Sequence, residues 1–362
     1  MEERKMRVAI THGDTNGVGY ELIYKVFSAP EMLELCTPIV YGSPKIAAYY
    51  RKALNVETAF SIISSAEDVH EGRLNLLTCF DEEVKVEMGR PTPESAEAGR
   101  KALERALADM QEGHFDGLVL APLADNSTAV SPGLQVLIDE KLRVAIATKS
   151  NSLKDVAAEV TKENLVEQAS VLHAMLKRDL RISNPRVALL ALNPGADGTE
   201  ETEAIAPAVG ELVAGGKQVF GPYAADDFFG TGKYEAFDAV LAMYYDQGVA
   251  PFKALSADEN VVFVAGLPTP VAMPGIGPSF EQVGHGTIDE NSLRHAIYNV
   301  IDVARNRTNY DAPLANPLPK LYHEKRDESE KVRFAIPKKR EGKEPSAAKA
   351  EAQKPDAEPT KG

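Results

Sequence analysis

Short apolar runs rich in β-branched residues alternate along this chain with amphipathic segments, and this alternation constrains the fold more than any other feature. Apolar residues that recur every three to four positions predict helices in the intervening segments. Strands that alternate with helices form largely parallel sheets, so the sequence predicts an α/β fold whose ligands bind at the carboxyl ends of strands. The predicted strands are Arg7–Thr11, Gly117–Ala121, Arg143–Thr148, Arg186–Ala191 and Val261–Ala265, and the predicted helices are Thr92–Glu112, Leu153–Lys177 and Glu200–Val213.

The length and charge of the chain narrow its class. With 362 residues it is long enough for two domains. It carries 54 acidic and 40 basic residues, a net charge of −14, which argues against a binder of the nucleic-acid backbone and favours a small-molecule or protein partner. Cys36 and Cys79 lack metal-site spacing, so we expect two reduced thiols. We find no membrane span or signal peptide and expect a cytoplasmic protein that does not contact membranes.

The last 26 residues, 337–362, differ in composition from the rest. They contain no aromatic and no branched aliphatic residue, so nothing in them offsets the entropy of ordering, and we predict a disordered tail. The composition favours a solvated linker and leaves open a tail that binds nucleic acid.

A glycine-rich turn, Gly13–Gly19, follows the first predicted strand. Its order, G-x-x-x-G-x-G, does not match the dinucleotide fingerprint G-x-G-x-x-G. The glycines allow either close approach of a ligand, with Asp14 and Glu21 as nearby acceptors, or a tight connection from strand to helix. His12, which precedes the turn, is the one histidine that we single out as a functional candidate.

Two polar clusters are more specific. Leu192–Glu201 leaves a predicted strand and opens a helix, with Thr199 as a candidate N-cap and free amides for an anion. Ala242–Gly248 follows a segment, Tyr234–Leu241, that we interpret as helical. Asp246, Gln247 and the downstream Lys253 can bind a phosphorylated ligand, or they can be solvated charges at a helix end.

Seven segments in consistent order carry a resemblance to a known family. They run from near the N-terminus to about residue 305 and include ITHGDTNGVGYELI, ALNPGADGTEE and AVLAMYYDQGVAPFK. In these segments the chain resembles the 4-hydroxythreonine-4-phosphate dehydrogenase family of vitamin B6 synthesis. The resemblance implies a two-domain α/β/α fold similar to isocitrate and isopropylmalate dehydrogenases. It also implies a homodimer with its active site in the interdomain cleft, at the dimer interface.

The same resemblance implies a chemistry and a domain division. Family members oxidise a phosphorylated hydroxy amino acid with NAD or NADP, and a divalent metal held by three histidines polarises the reacting hydroxyl. The expected division is residues 1–115 with 286–336 as the first domain, 116–285 as the second, and 337–362 as the tail. By resemblance, Gly266, Leu267 and Pro268 are candidate cofactor-binding residues.

The sequence departs from the family where the metal binds. Ser150, Gly195 and Tyr245 stand at the positions of the three histidines, so we expect no divalent metal. The matching positions that are retained give candidate ligand-binding residues: Asp14, Asn193, Asp226, Gln247 and Lys253. Candidate catalytic residues are Asp246, Lys253 and Tyr245. Two hypotheses follow: an NAD-dependent oxidoreductase with an altered site, or a non-catalytic protein that binds a nucleotide or metabolite or acts as a scaffold.

Overall fold

One twelve-stranded sheet with helices packed against it makes up the computed structural model, which describes residues 4–80, 83–124, 133–150, 152–256 and 260–317. The strand order is β3-β4-β2-β1-β5-β12-β11-β6-β7-β10-β8-β9. The strands are β1 (Arg7–Thr11), β2 (Thr37–Gly42), β3 (Ser61–Ile63), β4 (Asn75–Thr78), β5 (Gly117–Leu120), β6 (Leu134–Ile138), β7 (Arg143–Ile146), β8 (Arg186–Leu190), β9 (Gln218–Tyr223), β10 (Ala239–Ala242), β11 (Val261–Ala265) and β12 (Val271–Pro274).

Ten α-helices connect and cover these strands in the described ranges. They are α1 (Gly19–Val26), α2 (Met32–Leu35), α3 (Pro44–Ala53), α4 (Pro93–Glu112), α5 (Leu153–Glu159), α6 (Lys162–Arg178), α7 (Ala206–Ala214), α8 (Ala225–Gly230), α9 (Tyr245–Leu255) and α10 (Asn291–Ala315). None of these described helices has the length and apolar composition needed to cross a membrane. The predicted tail, 337–362, lies outside the described residues.

The predicted α/β class is confirmed, because most neighbouring strands pair in parallel and helices join them. Three antiparallel pairings in the middle, β12 with β11, β11 with β6 and β6 with β7, reverse the strand direction. The carboxyl ends of β1, β2 and β5 therefore face one edge of the sheet. Those of β7, β10 and β8 face the opposite edge.

The sheet also bears on the domain division that we expected from the resemblance. α10, near the end of the described chain, returns to pack on β12, β11, β5 and α1. All of these elements belong to one unit, which ends at Asn316. The division into residues 1–115 with 286–336 and 116–285 stays a prediction.

One helix prediction was wrong, and two others were too simple. Tyr234–Leu241 is not a helix: residues 233–236 form a short 3-10 turn and 239–242 form β10, which is buried between β7 and β8. Apolar periodicity cannot separate a short buried strand from a helix segment. The predicted helix Leu153–Lys177 is two helices, α5 and α6. The predicted helix Glu200–Val213 begins with a π-helical turn, Glu201–Ile205, before α7.

The boundaries of α4 follow from local chemistry. The Thr92 side chain accepts a hydrogen bond from the backbone N–H of Ser95, and the Ser95 hydroxyl accepts one from the backbone N–H of Thr92. Pro93 occupies the first helical position, where its missing N–H costs nothing. Gly113 ends the helix with φ of 76°, in the left-handed region that glycine adopts without strain.

The glycine-rich turn is a tight connection between β1 and α1. The backbone N–H of Asp14 donates to Pro122 O at 2.9 Å, and that of Val18 donates to Pro278 O at 3.1 Å. A Cβ atom on Gly13 would overlap the carbonyl oxygen of Pro122, and one on Gly19 would overlap that of His12. The glycines thus allow backbone to pack against backbone. Of the two interpretations that the sequence left open, this supports a tight connection from strand to helix.

Candidate functional site

Three chain segments converge beyond the carboxyl ends of three adjacent parallel strands. Residues 147–150 follow β7, residues 191–201 follow β8, and residues 243–247 follow β10, which lies between the other two strands. We call these three segments the strand-end site. In open α/β sheets, ligands bind in crevices of this kind.

Hydrogen bonds hold the three segments together. The Thr148 hydroxyl donates to Met243 O at 2.8 Å, which links the end of β7 to the end of β10. The Gln247 side chain accepts from the Met243 N–H at 2.8 Å and donates to Ala191 O at 2.6 Å, which links β10 to β8. Gln247 is a ligand-binding candidate predicted from the sequence, whereas Thr148 was not predicted. The structure gives both residues a role in positioning the site.

A second network occupies the turn after β8. The Asn193 side chain donates to Glu200 at 3.0 Å and to Glu201 at 2.9 Å, and the Asn193 backbone N–H donates to Glu201 at 2.8 Å. Burial acts to raise the pKa of Glu201, but these hydrogen bonds and others from the backbone outweigh it, and the pKa falls below its ordinary value. The Glu201 carboxylate therefore accepts a hydrogen bond from the Asn193 backbone N–H, one of the amide groups that the sequence suggested were free to bind an anion.

Thr199 does not cap the following helix, because residue 200 is the N-cap of the π-helical turn and no side chain caps it. The hydroxyl of Thr202 bonds instead to the carbonyl oxygens of Gly198 and Thr199, at 3.2 and 3.1 Å. The N-cap expectation for Thr199 was wrong. The turn relies on the Asn193 network rather than on a side-chain cap.

The three positions of the expected metal ligands all belong to the strand-end site. The Ser150 hydroxyl donates to Ser152 O at 3.2 Å, so it is used by the local turn. Gly195 has no side chain, and the space where its Cβ would lie is taken by the carboxylate of Asp197. Tyr245 opens α9 with 58% of its surface exposed. A hydroxyl, a glycine and an exposed phenol are poor ligands for a divalent metal at neutral pH, so these residues do not fit such an ion.

Another potential ligand group lies elsewhere. Among the residues that the structure describes, ligand atoms of Asp109, Glu112 and His114 lie within 4.8 Å of one another, near the end of α4. Asp109 already accepts from the Tyr41 hydroxyl at 2.8 Å and pairs with Arg105 at 3.1 Å. These contacts account for the buried carboxylate without a metal.

Two of the remaining candidates, Asp14 and Lys253, do not join the strand-end site. Asp14 lies in the glycine-rich turn, where it accepts from the Asn16 N–H at 2.9 Å, at the opposite edge of the sheet. Asp226 is exposed in the first turn of α8, which follows the carboxyl end of β9, the parallel neighbour of β8. Lys253 lies two turns along α9 from Tyr245, about 12 Å at 1.5 Å per residue. Its ammonium donates to the Asn260 side chain at 3.1 Å and to Gly275 O.

A buried ion pair between Arg307 and Asp179 contacts the segment Gly266–Pro268. The Arg307 guanidinium donates to Leu267 O at 2.9 Å and to Pro268 O at 2.7 Å. It also donates to both carboxylate oxygens of Asp179, at 2.8 Å each, with both side chains buried. Asp179 and Arg307 were missed in the sequence, because their 128-residue separation gives no local signal.

His12 is fully buried, with its ring stacked on Tyr20 at a centroid distance of 5.1 Å. Within the described part of the chain neither ring nitrogen has a hydrogen-bond partner. Burial lowers the pKa of His12 to about 4, so the ring is neutral at pH 7. The side chain lies away from the strand-end site, at the carboxyl end of β1.

These features define an α/β protein of the doubly wound class, with a polar site at the carboxyl ends of three parallel strands. The family model "Pyridoxal phosphate biosynthetic protein PdxA" matches residues 34–131 and 123–300. The chain belongs to this family, which confirms the resemblance.

Individual relatives support the same family assignment. The chain is 46% identical over 358 residues to a 4-hydroxythreonine-4-phosphate dehydrogenase of Bacteroides thetaiotaomicron, covering 92% of this chain and 98% of that protein. It is 32% identical to the corresponding protein of Geobacter metallireducens, covering 84% of this chain and 97% of that protein. A crystal structure of a 4-hydroxythreonine-4-phosphate dehydrogenase from Burkholderia phymatum matches with a TM-score of 0.65 and 26% identity, over 83% of this chain and 99% of that one.

Proposed function

We propose that this chain binds a small phosphorylated metabolite or nucleotide on the PdxA-family fold but does not carry out a metal-dependent oxidation. One observation carries the proposal: Ser150, Gly195 and Tyr245 share the strand-end site and provide no imidazole. Divalent metal affinity depends on such ligands, and replacing all three removes most of it.

The contacts of Lys253 support the second part of the proposal, the absence of the oxidation. Its ammonium already bonds to the Asn260 side chain and to Gly275 O, and it lies about 12 Å along α9 from Tyr245. In this arrangement Lys253 stabilises the start of β11 rather than reaching a ligand at the strand-end site. The exposed carboxylate of Asp246, at the start of α9, is the group we assign to ligand recognition there, because it accepts from hydroxyl and ammonium donors.

A retained dehydrogenase is the second candidate. It is favoured by the 46% identity to the Bacteroides thetaiotaomicron protein, which spans almost the whole of that dehydrogenase. In this alternative the chain uses NAD or NADP at Gly266–Pro268, and Asp246, Tyr245 and Lys253 act on the substrate. In either case we propose a cytoplasmic homodimer that binds no nucleic acid, which sedimentation and a nucleic-acid binding assay can check.

The experiment that separates the two candidates measures metal, NAD binding and turnover on the purified protein. We expect no stoichiometric zinc by elemental analysis and no NADH from 4-phosphohydroxythreonine, with the Bacteroides thetaiotaomicron protein as the positive control. Metal-dependent turnover would contradict the proposal and establish the dehydrogenase. Saturable binding of AMP or NAD by calorimetry, without turnover, supports the binding function.

A gain-of-function variant sharpens the test. The triple change Ser150→His, Gly195→His and Tyr245→His places three imidazoles at the strand-end site, and we expect it to bind zinc. A matched variant replaces the third change by Tyr244→His, one residue earlier, and should bind zinc much more weakly. Equal zinc binding by the two variants would show that these positions do not form a common site.

A further inference from the structure

Tyr245 differs from the other residues on its face of α9 because it is exposed. The buried residues of α9 are Gly248, Val249 and Phe252. Tyr245 precedes them by three, four and seven positions, which are the spacings that place residues on one face of an α-helix. Tyr245 nevertheless remains 58% exposed. Its ring therefore continues the packing face of α9 but has little of the described protein to pack against.

The position of α9 on the sheet shows what lies under this face. A Cβ atom on Gly248 would lie 2.7 Å from the Ile146 side chain and 2.9 Å from that of Ala242, the last residues of β7 and β10. Tyr245 lies nearly one turn closer to the start of α9, about 4.5 Å along the axis at 1.5 Å per residue. Helical side chains also tilt towards the N-terminus of their helix. The Tyr245 ring therefore lies beyond these two strand ends, at the strand-end site.

An exposed aromatic ring beside polar groups suits a ligand that contains a flat ring. Aromatic side chains bind nucleobases by stacking, a contact that every base can make because every base has a π-face. Asp246, the next residue, is also exposed, and its carboxylate accepts hydrogen bonds from hydroxyl groups such as those of a ribose. A ring and a hydroxyl acceptor on adjacent residues match a nucleoside. A phosphorylated sugar or hydroxy acid has no base to stack on the ring.

We propose that the ligand of the strand-end site is a nucleotide, whose base stacks on the Tyr245 ring and whose ribose hydroxyls donate to the Asp246 carboxylate. This inference rests on the function proposed above, which includes both nucleotides and other phosphorylated metabolites, and it selects the first class. It also explains Tyr245 itself. At a position where the resemblance leads us to expect a metal-binding imidazole, the chain has a ring that recognises a base.

Fluorescence gives a direct test, because the chain contains no tryptophan. Tyr245→Trp introduces a single indole at the stacking position, and we expect saturable quenching of its emission when AMP is added to the full-length protein. Ribose 5-phosphate, which lacks the base, should leave the emission unchanged. Tyr49→Trp is the matched control, because Tyr49 is 47% exposed on α3, which follows β2 in the other half of the sheet. Its emission should not respond to AMP.

Calorimetry with AMP separates stacking from a general effect on structure. Tyr245→Phe keeps the ring and should keep the affinity, whereas Tyr245→Ala should weaken AMP binding by about fivefold or more. Asp246→Ala should weaken the binding of AMP more than that of 2′,3′-dideoxyadenosine monophosphate, which lacks both ribose hydroxyls. Circular dichroism checks that each variant is folded.

Three results would overturn the inference. The first is the absence of saturable AMP binding to the folded wild type; if ribose 5-phosphate still binds, the proposed function stands and only the recognition of a base fails. The second is equal AMP affinity of the wild type and Tyr245→Ala. The third is emission of Tyr245→Trp that changes on dilution but not with AMP, which would assign the ring to a contact with a second copy of the chain.

Discussion

The buried imidazole of His12 makes the stability of this protein depend on pH in a defined window. In the folded state burial lowers the pKa of His12 to about 4, whereas an unfolded chain has the ordinary value of 6.5. Between these values the unfolded state binds more protons than the folded state, so stability rises with pH. The contribution is complete above pH 6.5 and is lost as the pH falls towards 4.

The size of the effect follows from the shift. At about 1.4 kcal/mol per pKa unit, a shift from 6.5 to about 4 corresponds to roughly 3 kcal/mol of unfolding free energy. Solvent does not screen this contribution to the unfolding free energy, because His12 is fully buried and packed against Tyr20 and Phe80.

Urea unfolding at a series of pH values from neutral to mildly acidic tests this reasoning. Because carboxylates also titrate there, the informative quantity is the difference between the wild type and His12→Phe, which keeps an aromatic ring against Tyr20. We expect the wild type to lose about 3 kcal/mol relative to the variant across the window, whatever their offset at pH 7. His285→Phe, at an exposed position, is the control and should follow the wild type. Parallel pH profiles of the wild type and His12→Phe would refute the assignment.

Three further predictions concern the effect of substitutions on stability. Arg307→Met leaves the buried Asp179 carboxylate without its partner and should cost about 3–5 kcal/mol in urea unfolding; a loss below 1 kcal/mol, about what an exposed pair contributes, would contradict the buried pairing. Gly210→Ala, at an α7 position with open space around it, should stabilise the protein by about 0.5–1 kcal/mol. Gly19→Ala, whose Cβ would overlap the backbone of His12, should destabilise the protein by roughly 1–3 kcal/mol. If thermal melts show that both variants raise, or that both lower, the melting temperature, this packing is contradicted. Gln247→Leu leaves the Met243 N–H and the Ala191 carbonyl without their hydrogen bonds to Gln247 and should lower the free energy of unfolding by about 1–3 kcal/mol. Gln247→Glu keeps the acceptor for the Met243 N–H, so its free energy of unfolding should fall by less.

Much of the fold could be predicted from local sequence. The predicted strands at β1, β5, β7, β8 and β11 are present within a few residues, because runs of β-branched residues bounded by proline or glycine define buried strands. β10 was missed since four apolar residues carry too little periodicity to separate strand from helix. The break between α5 and α6 was missed as well: the Thr161 hydroxyl accepts from the Asn164 N–H and starts a new helix inside a continuous periodic pattern.

The candidate site was predicted in part. The resemblance to the family identified Asn193, Gln247 and the three residues at the expected metal positions, and the structure brings all five to the strand-end site. Asp14 and Lys253 were grouped with them, but the structure places them away from this site. The antiparallel pairings between β12 and β7 send the carboxyl ends of the two halves of the sheet to opposite edges, and this reversal has no local signal.

The sequence by itself determined the α/β class, the family, and the residues Ser150, Gly195 and Tyr245 at the three positions where the resemblance leads us to expect histidines. These depend on residue identity and on local periodicity, which can be read along the chain. Only the tertiary structure decided which polar groups are already occupied: Lys253 by Asn260 and Gly275, and the Asn193 amide by Glu201. Hydrogen bonding and burial depend on distances between residues far apart in sequence, and these distances are set only when the sheet assembles.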